Sequence, residues 1–132
     1  MRIFSYLILC LSVFSCQESF DQRLERETME FTRKHCPQRQ DDYTCLDSMT
    51  YESSSRTIVF WHTLSNMETA GLSESLFVEN DSILRNFLVE RLREDTQWQS
   101  CKDADVNFRY VYRSKDAQSS LISILLTNKD YK

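Results

Sequence analysis

Apolar and aromatic residues recur along the chain with two different periods, and each change of period predicts a new element. Between residues 20 and 35 they fall at near-helical spacing, at Phe20, Leu24, Phe31 and His35. Ser19 and Gln22 flank the start of this segment in a capping-box arrangement. Cys36 should end it, because the residue before Pro37 is disfavoured in the α region. The pattern predicts an amphipathic helix whose apolar face needs a sheet to cover.

Two pairs of segments have the twofold period of β-strands. Residues 43–51, YTCLDSMTY, alternate so that one side carries Tyr43, Cys45, Met49 and Tyr51. Residues 57–64, TIVFWHTL, are β-branched and aromatic, and a turn-like ESSSR precedes them. Residues 106–112, VNFRYVY, place on one face Val106, Phe108, Tyr110 and Tyr112, and LISILL follows at 121–126. These segments predict two β-hairpins.

The region between the hairpins predicts helices. Residues 66–79 read as a loop with a short helix, and Asp81 is placed to cap a longer helix that runs to about Trp98. Arg91 and Asp95 form an i,i+4 ion pair on that helix. Its apolar stripe consists of Ile83, Leu84, Phe87, Leu88 and Leu92. The predicted fold is α+β in the order α-β-β-α-α-β-β, with an antiparallel four-stranded sheet made by the two hairpins and helices packed on one face.

The N-terminus has the pattern of an export signal. Arg2 supplies a positive charge, and residues 3–14 form an apolar run too short to span ~30 Å of hydrocarbon. Val13-Phe14-Ser15-Cys16 resembles a bacterial lipobox, which implies cleavage before Cys16 and a lipid on its thiol. Free secretion is the alternative. We predict a signal peptide over 1–15, a lipid-anchored linker over 16–19 and a single α+β domain over 20–132.

Three cysteines follow Cys16, and in an oxidising compartment two of the three are expected to pair. Cys36 and Cys101 each follow a predicted helix, in loops that can approach each other. Cys45 lies inside a predicted strand, where a thiol behaves as a small apolar group. We favour a Cys36–Cys101 disulfide, and pairing of either residue with Cys45 stays open.

Charge and composition argue against several classes of partner. Without Arg2 the chain has 15 basic and 20 acidic residues, a net charge of −5, and the two signs are interspersed. Neither a nucleic-acid footprint nor a polybasic membrane patch is therefore expected. The chain has one glycine and one proline, which argues against phosphate-binding loops and repeats. We expect no cofactor.

Cys45 and His62 are the strongest catalytic candidates. A hairpin that turns near Ser54 would place them nearly opposite each other, and a Cys–His contact is the minimum for thiol catalysis. A register shift of one residue would move His62 to the other face, so we favour structural roles for both.

Metal binding has little support in the sequence. No zinc-site spacing connects His35, Cys36, Cys45, His62 and Cys101. Asp41, Asp42 and Asp47 lack the glycine-centred loop of a calcium site. We expect neither a metal nor an enzymatic activity.

Several short motifs together suggest a family. They are Cys36-Pro37 after the first helix, Asp42, Thr44, Leu46, Asp47 and Ser48 in a D-x-T-x-L-D-S strand, Phe60-Trp61-His62, Cys101, and Tyr110-Val111-Tyr112. With these motifs the chain resembles a group of small, largely uncharacterised bacterial exported or lipoprotein domains. The resemblance implies an envelope location and a bridge between Cys36 and Cys101.

We therefore predict a non-catalytic envelope lipoprotein that binds an unknown protein partner as an accessory, pilotin-like module. It would be held at the membrane by its N-terminal lipid, as an outer-membrane lipoprotein or in the periplasm. A secreted enzyme or enzyme inhibitor, with a site that the sequence does not reveal, is the alternative.

Overall fold

A computed structural model describes residues 18–66, 74–115 and 120–132. The helices are α1 (Phe20–His35), α2 (Glu74–Glu79), α3 (Asp81–Glu94), α4 (Gln99–Asp103) and α5 (Asn128–Tyr131). The strands are β1 (Gln38–Arg39), β2 (Thr44–Glu52), β3 (Thr57–Leu64), β4 (Asn107–Ser114) and β5 (Ser120–Leu126). A 3-10 turn, Thr96–Trp98, joins α3 to α4. The predicted signal peptide, Cys10 and Cys16 lie outside the described residues.

The sheet is five-stranded and mixed, which corrects the predicted antiparallel sheet of four strands. Its order is β1-β2-β3-β4-β5, with β3 and β4 parallel and the other pairs antiparallel. Both predicted hairpins are present, β2 with β3 and β4 with β5. The parallel pair arises because the helical segment between β3 and β4 carries the chain back to the end where β3 began, as a parallel connection requires. The fifth strand, β1, is a two-residue edge that the sequence analysis missed.

A β-bulge in β2 changes which of its side chains face the core. The pairing with β3 shifts between Leu46 and Ser48, so one extra residue lies on β2 and the alternation restarts. Leu46, Met49 and Tyr51 are buried in the core, whereas Cys45 pairs with Thr63 on the opposite face. The predicted common side for Cys45 and Met49 is therefore wrong.

The first helix agrees closely with its predicted pattern. Ser19 and Gln22 form the capping box, with the Ser19 Oγ accepting from the Gln22 N–H at 3.2 Å. Leu24 is buried, and Phe20 and Phe31 pack against the core. His35, by contrast, is exposed.

The second long helix is shorter than predicted, because α3 ends at Glu94 and a 3-10 turn follows. The Asp95 carboxylate caps that turn by accepting from the Gln97 N–H at 2.9 Å. Lys102, buried in α4, donates from Nζ to the carbonyl of Leu92 at 2.8 Å, and so satisfies an acceptor at the end of α3. The capping residue before α3 is Asn80, and Asp81 is the first helical residue.

The helices and one face of the sheet enclose a single buried cluster. From the sheet it takes alternating residues, among them Ile58, Phe60, Phe108, Ile122, Ile124 and Leu126. From the helices it takes Leu24, Leu88, Leu92, Cys101 and Tyr131. The opposite face of the sheet carries the buried Val59 and Val111 beside polar and aromatic residues, with the Arg113 guanidinium 5.2 Å from the Trp61 ring centroid. We call the two sides of the sheet the helix face and the outer face.

Candidate functional site

A groove runs over the middle of the sheet because the two long helices lie over its sides. On the helix face α1 contacts β2, whereas α3 contacts β5 and α5. The strands β2 and β5 are three strand spacings apart, or about 14 Å. Helices that pack directly on each other are separated by about 8–10 Å. The gap leaves a cavity of about 640 Å³, which we call the central groove.

Aromatic pairs form most of the floor of the central groove. In the parallel register Phe60 lies beside Tyr110 and His62 beside Tyr112. The rings of each pair are stacked, with centroids 4.8 Å apart in the first pair and 4.4 Å apart in the second. Trp98 packs edge-on against Phe60 and also lines the groove. The floor is thus a rigid, largely apolar platform with polar ring atoms at intervals.

The rim of the groove on α3 exposes large apolar side chains. Ile83 is 66% exposed and Phe87 is 55% exposed, although both belong to the apolar stripe predicted to be buried. Only Leu88 and Leu92 of that stripe are fully buried, with Leu84 partly so. The prediction failed because α3 rests on the edge of the core, so that a narrower stripe suffices to bury it.

Four charged residues line the groove, and three of them have their charged groups engaged locally. Asp41 Oδ1 accepts from the backbone N–H of Thr44 at 2.7 Å, and Asp95 caps the 3-10 turn. Arg39 Nη1 donates to the carbonyl of Asp42 at 3.0 Å. Arg91 differs: within the described part of the chain its guanidinium has neither a hydrogen bond nor an ion pair. The predicted Arg91–Asp95 ion pair is absent there.

Burial controls the titration of the groove floor. Desolvation lowers the pKa of His62, whose Nδ1 lies 3.2 Å from the Val111 carbonyl, so the ring is neutral at pH 7. Desolvation also raises the pKa of Tyr110, and it raises that of Tyr112 to about 12. The positive charge of Arg91 opposes the rise at both tyrosines and adds to the fall at His62. Arg91 is therefore close enough to act electrostatically on the whole floor.

The structure separates the two catalytic candidates. Directly opposite residues of an antiparallel pair share a face, and the partners are Cys45 with Thr63 and Leu46 with His62. Cys45 is therefore on the outer face and His62 on the helix face. Desolvation raises the pKa of the Cys45 thiol, which disfavours the nucleophilic thiolate. This pair has neither the contact nor the ionisation that thiol catalysis needs.

Cys36, Cys45 and Cys101 are free thiols in this structure. The Cys36–Cys101 pairing stays a prediction, to be tested by non-reducing peptide mapping of the exported protein.

Within residues 18–66, 74–115 and 120–132, no cluster of three or more His, Cys, Asp or Glu side chains is arranged to hold a metal ion. Across the same ranges, no helix has both the length and the apolar character needed to cross a membrane.

Sequence comparison identifies the family. A domain of unknown function, DUF8479, matches residues 19–122. The chain belongs to the DUF8479 family. The match spans every element of this DUF8479 domain from α1 into β5, including the central groove. A comparison with curated proteins gave no match.

Two solved structures share the fold of this DUF8479 domain. A candidate secreted protein from Pseudomonas aeruginosa is similar with a TM-score of 0.68 at 9% identity, covering 88% of this chain and 100% of that one. EpsS, a pilotin from the Vibrio vulnificus type 2 secretion system, is similar with a TM-score of 0.62 at 12% identity, covering 85% of this chain and 91% of that one. At these identities the likeness shows the fold.

The sequence predicts an ion pair of Arg91 with Asp95 on the helix surface, and for that reason it does not single out Arg91 as a residue of the groove. A signal was present, since Ile83, Phe87 and Arg91 recur every four residues and so share one side of α3. The apolar pattern, however, predicts that this side of α3 faces the core. Which side of a helix meets a sheet is decided by tertiary packing, which the spacing alone does not contain.

Proposed function

We propose that the protein is a non-catalytic accessory module of the bacterial cell envelope that binds a protein partner in the central groove, as a pilotin-like lipoprotein. The observation that carries this proposal is the groove itself, open between α1 and α3, with Phe87 exposed on its rim and Ile83 exposed four residues earlier on the same helix. Large exposed apolar side chains next to a groove are typical of protein-binding surfaces.

The shape of the site favours a peptide segment over a small molecule. The cavity of about 640 Å³ has a broad aromatic floor formed by the side chains of Phe60, Tyr110 and Tyr112. Its two carboxylates, on Asp41 and Asp95, already accept backbone N–H groups. A groove between two helices over a sheet suits an amphipathic helix, whose apolar side would face the floor.

The envelope location is part of the proposal. The N-terminal sequence has the pattern of an export signal over residues 1–15, followed by Cys16. The two proteins of similar fold are a candidate secreted protein and a secretion-system pilotin, which agrees with an exported accessory protein. Lipid at Cys16 would confine the module to a membrane surface, where its partner would be assembled or protected.

Photocrosslinking in the native bacterium tests the site. p-Benzoylphenylalanine replaces Phe87 on the rim of the groove and, in a control variant, Arg109 on the outer face. We expect one discrete protein adduct from position 87 and none from position 109, because only the first lies against the bound partner. Ile83→Lys, added to the position-87 variant, should reduce the adduct by placing a charge in an apolar contact.

The result that would overturn the proposal is equally specific. An adduct of the same size and yield from position 109, or its absence at position 87 in a folded, exported protein, would show that the groove is not the partner site.

A further inference from the structure

The exposed side of α3 carries a pattern with a definite chemical complement. Ile83, Phe87 and Arg91 are each four residues apart, and we call them the α3 stripe. With a rise of 1.5 Å per residue, the stripe extends over about 12 Å, or a little more than two helical turns. It presents two apolar side chains followed by one cation, along a rim that continues into the central groove at Phe87 and Arg91.

Within the described residues, the cation at the end of the stripe has no counter-ion. Arg91 is exposed, and within the described residues its guanidinium makes no hydrogen bond or ion pair. The nearby charged groups do not compete for it, because the carboxylates of Asp95 and Asp41 accept backbone N–H groups. An arginine fork with free donors matches a carboxylate in both charge and geometry.

A second polar group of the floor points to the same ligand. The Tyr110 hydroxyl also has no hydrogen bond among the described residues, and Tyr110 stacks on Phe60 with its ring half-buried. Arg91 and Tyr110 both line the central groove, so the two groups face a common space. A hydroxyl donor beside a guanidinium is a pairing that one carboxylate group can satisfy.

We propose that Arg91 and the Tyr110 hydroxyl bind a carboxylate side chain of the partner, carried on an amphipathic helix whose apolar side chains pack on Ile83 and Phe87. This rests on the proposed function, and it adds the chemistry of the partner: two apolar residues and one Asp or Glu at successive turns. The repeat of four residues along the α3 stripe is matched best by another helix, because both present side chains at the same spacing.

Charge variants test the role of Arg91 in the crosslinking protein. With p-benzoylphenylalanine at position 87, we expect Arg91→Glu to reduce the adduct at least about 10-fold, because a like charge replaces a charge-assisted bond. Arg91→Lys should retain part of the yield, since it keeps the charge and loses the fork. Arg109→Glu is the matched control on the outer face and should leave the yield unchanged. The Arg91 guanidinium has neither a hydrogen bond nor an ion pair within the described residues, so the Arg91 variants should melt within about 2 °C of the parent.

A small-molecule probe tests the carboxylate itself. We would titrate the purified protein with 3-phenylpropionate and with its neutral analogue 3-phenylpropanamide, and follow by NMR the backbone amide signals of residues 83–91, which every variant retains. The acid should bind at least about fivefold more tightly than the amide, and Arg91→Gln should abolish that preference. Tyr110→Phe should reduce it in part.

The outcomes separate this inference from the proposed function. If the position-87 adduct forms and Arg91→Glu leaves it intact, the carboxylate is wrong and the groove remains the partner site. Equal affinity for the acid and the amide would refute the inference in the same way. If the protein with p-benzoylphenylalanine at position 87 and no charge substitution forms no adduct, both the inference and the proposed function are overturned.

Discussion

At the residue scale, the titratable and nucleophilic side chains of the strands divide between the two faces of the sheet. His62, Tyr110 and Tyr112 lie on the helix face, and Cys45 lies on the outer face. The division follows from one bulge, which moves the alternation of β2 by one position between Leu46 and Ser48. A single inserted residue thus places Cys45 on the face opposite His62 and separates the two side chains.

The buried state of His62 predicts a pH dependence of stability. Desolvation lowers its pKa in the folded protein, whereas the unfolded chain titrates near 6.5. Between these two values the unfolded state binds more protons, so the free energy of unfolding falls as pH decreases below about 6.5. The slope should not exceed about 1.4 kcal/mol per pH unit.

Urea unfolding at pH 7.0, 6.5, 6.0 and 5.5 measures this slope. His62→Gln should remove most of it, because the glutamine does not titrate. His35→Gln is the matched control, since His35 is the other histidine of the chain and is exposed. Equal slopes in the wild type and His62→Gln would contradict the assignment.

At the element scale, the parts of the fold that depend on neighbouring residues could be predicted from the sequence. The capping box at Ser19, both hairpins and the burial of Leu24 follow from spacing and local hydrogen bonding. The parallel pairing of β3 with β4 could not be predicted, because both strands of a hairpin have unpaired N–H and C=O groups on their outer edges. The choice depends on where the intervening helices dock.

The start of α1 provides a quantitative test of that local control. Ser19 Oγ accepts the Gln22 N–H, and the Gln22 side chain accepts the Ser19 N–H at 3.1 Å. Ser19→Ala should lower the free energy of unfolding by about 1 kcal/mol, because a helix N–H loses its acceptor. Ser53→Ala, at an exposed turn position, should change it by less than about 0.5 kcal/mol. Chemical denaturation of the two variants with unchanged m-values provides the comparison; similar losses would show that the cap contributes nothing specific.

At the scale of the whole molecule, the groove exists because the two long helices lie over different sides of one sheet. The sheet is five strands wide, and α1 and α3 cover its sides without meeting. The sequence could not reveal this gap, because each helix has an ordinary amphipathic pattern and only their separation creates the groove. The candidate site was therefore the least predictable part of the molecule, although each of its floor residues had been assigned to the correct strand.

The proposed lipid anchor would fix how this groove is presented. Only residues 17–19 separate Cys16 from the first residue of α1, and an extended chain of that length reaches at most about 14 Å. A lipid on Cys16 would therefore hold the start of α1 close to the membrane, with the partner recruited at that surface.

Substitution of Cys16 tests the lipid anchor. We expect Cys16→Ser to move the protein from the membrane fraction to the soluble fraction, because the chain has no stable membrane anchor without acylation. Cys10→Ser is the matched control within the predicted signal peptide, and it should leave membrane retention unchanged. Mass spectrometry of the wild-type mature N-terminus should show an acylated Cys16; an unmodified N-terminus at a later residue, with the wild-type protein in the soluble fraction, would exclude the anchor and leave free secretion as the route.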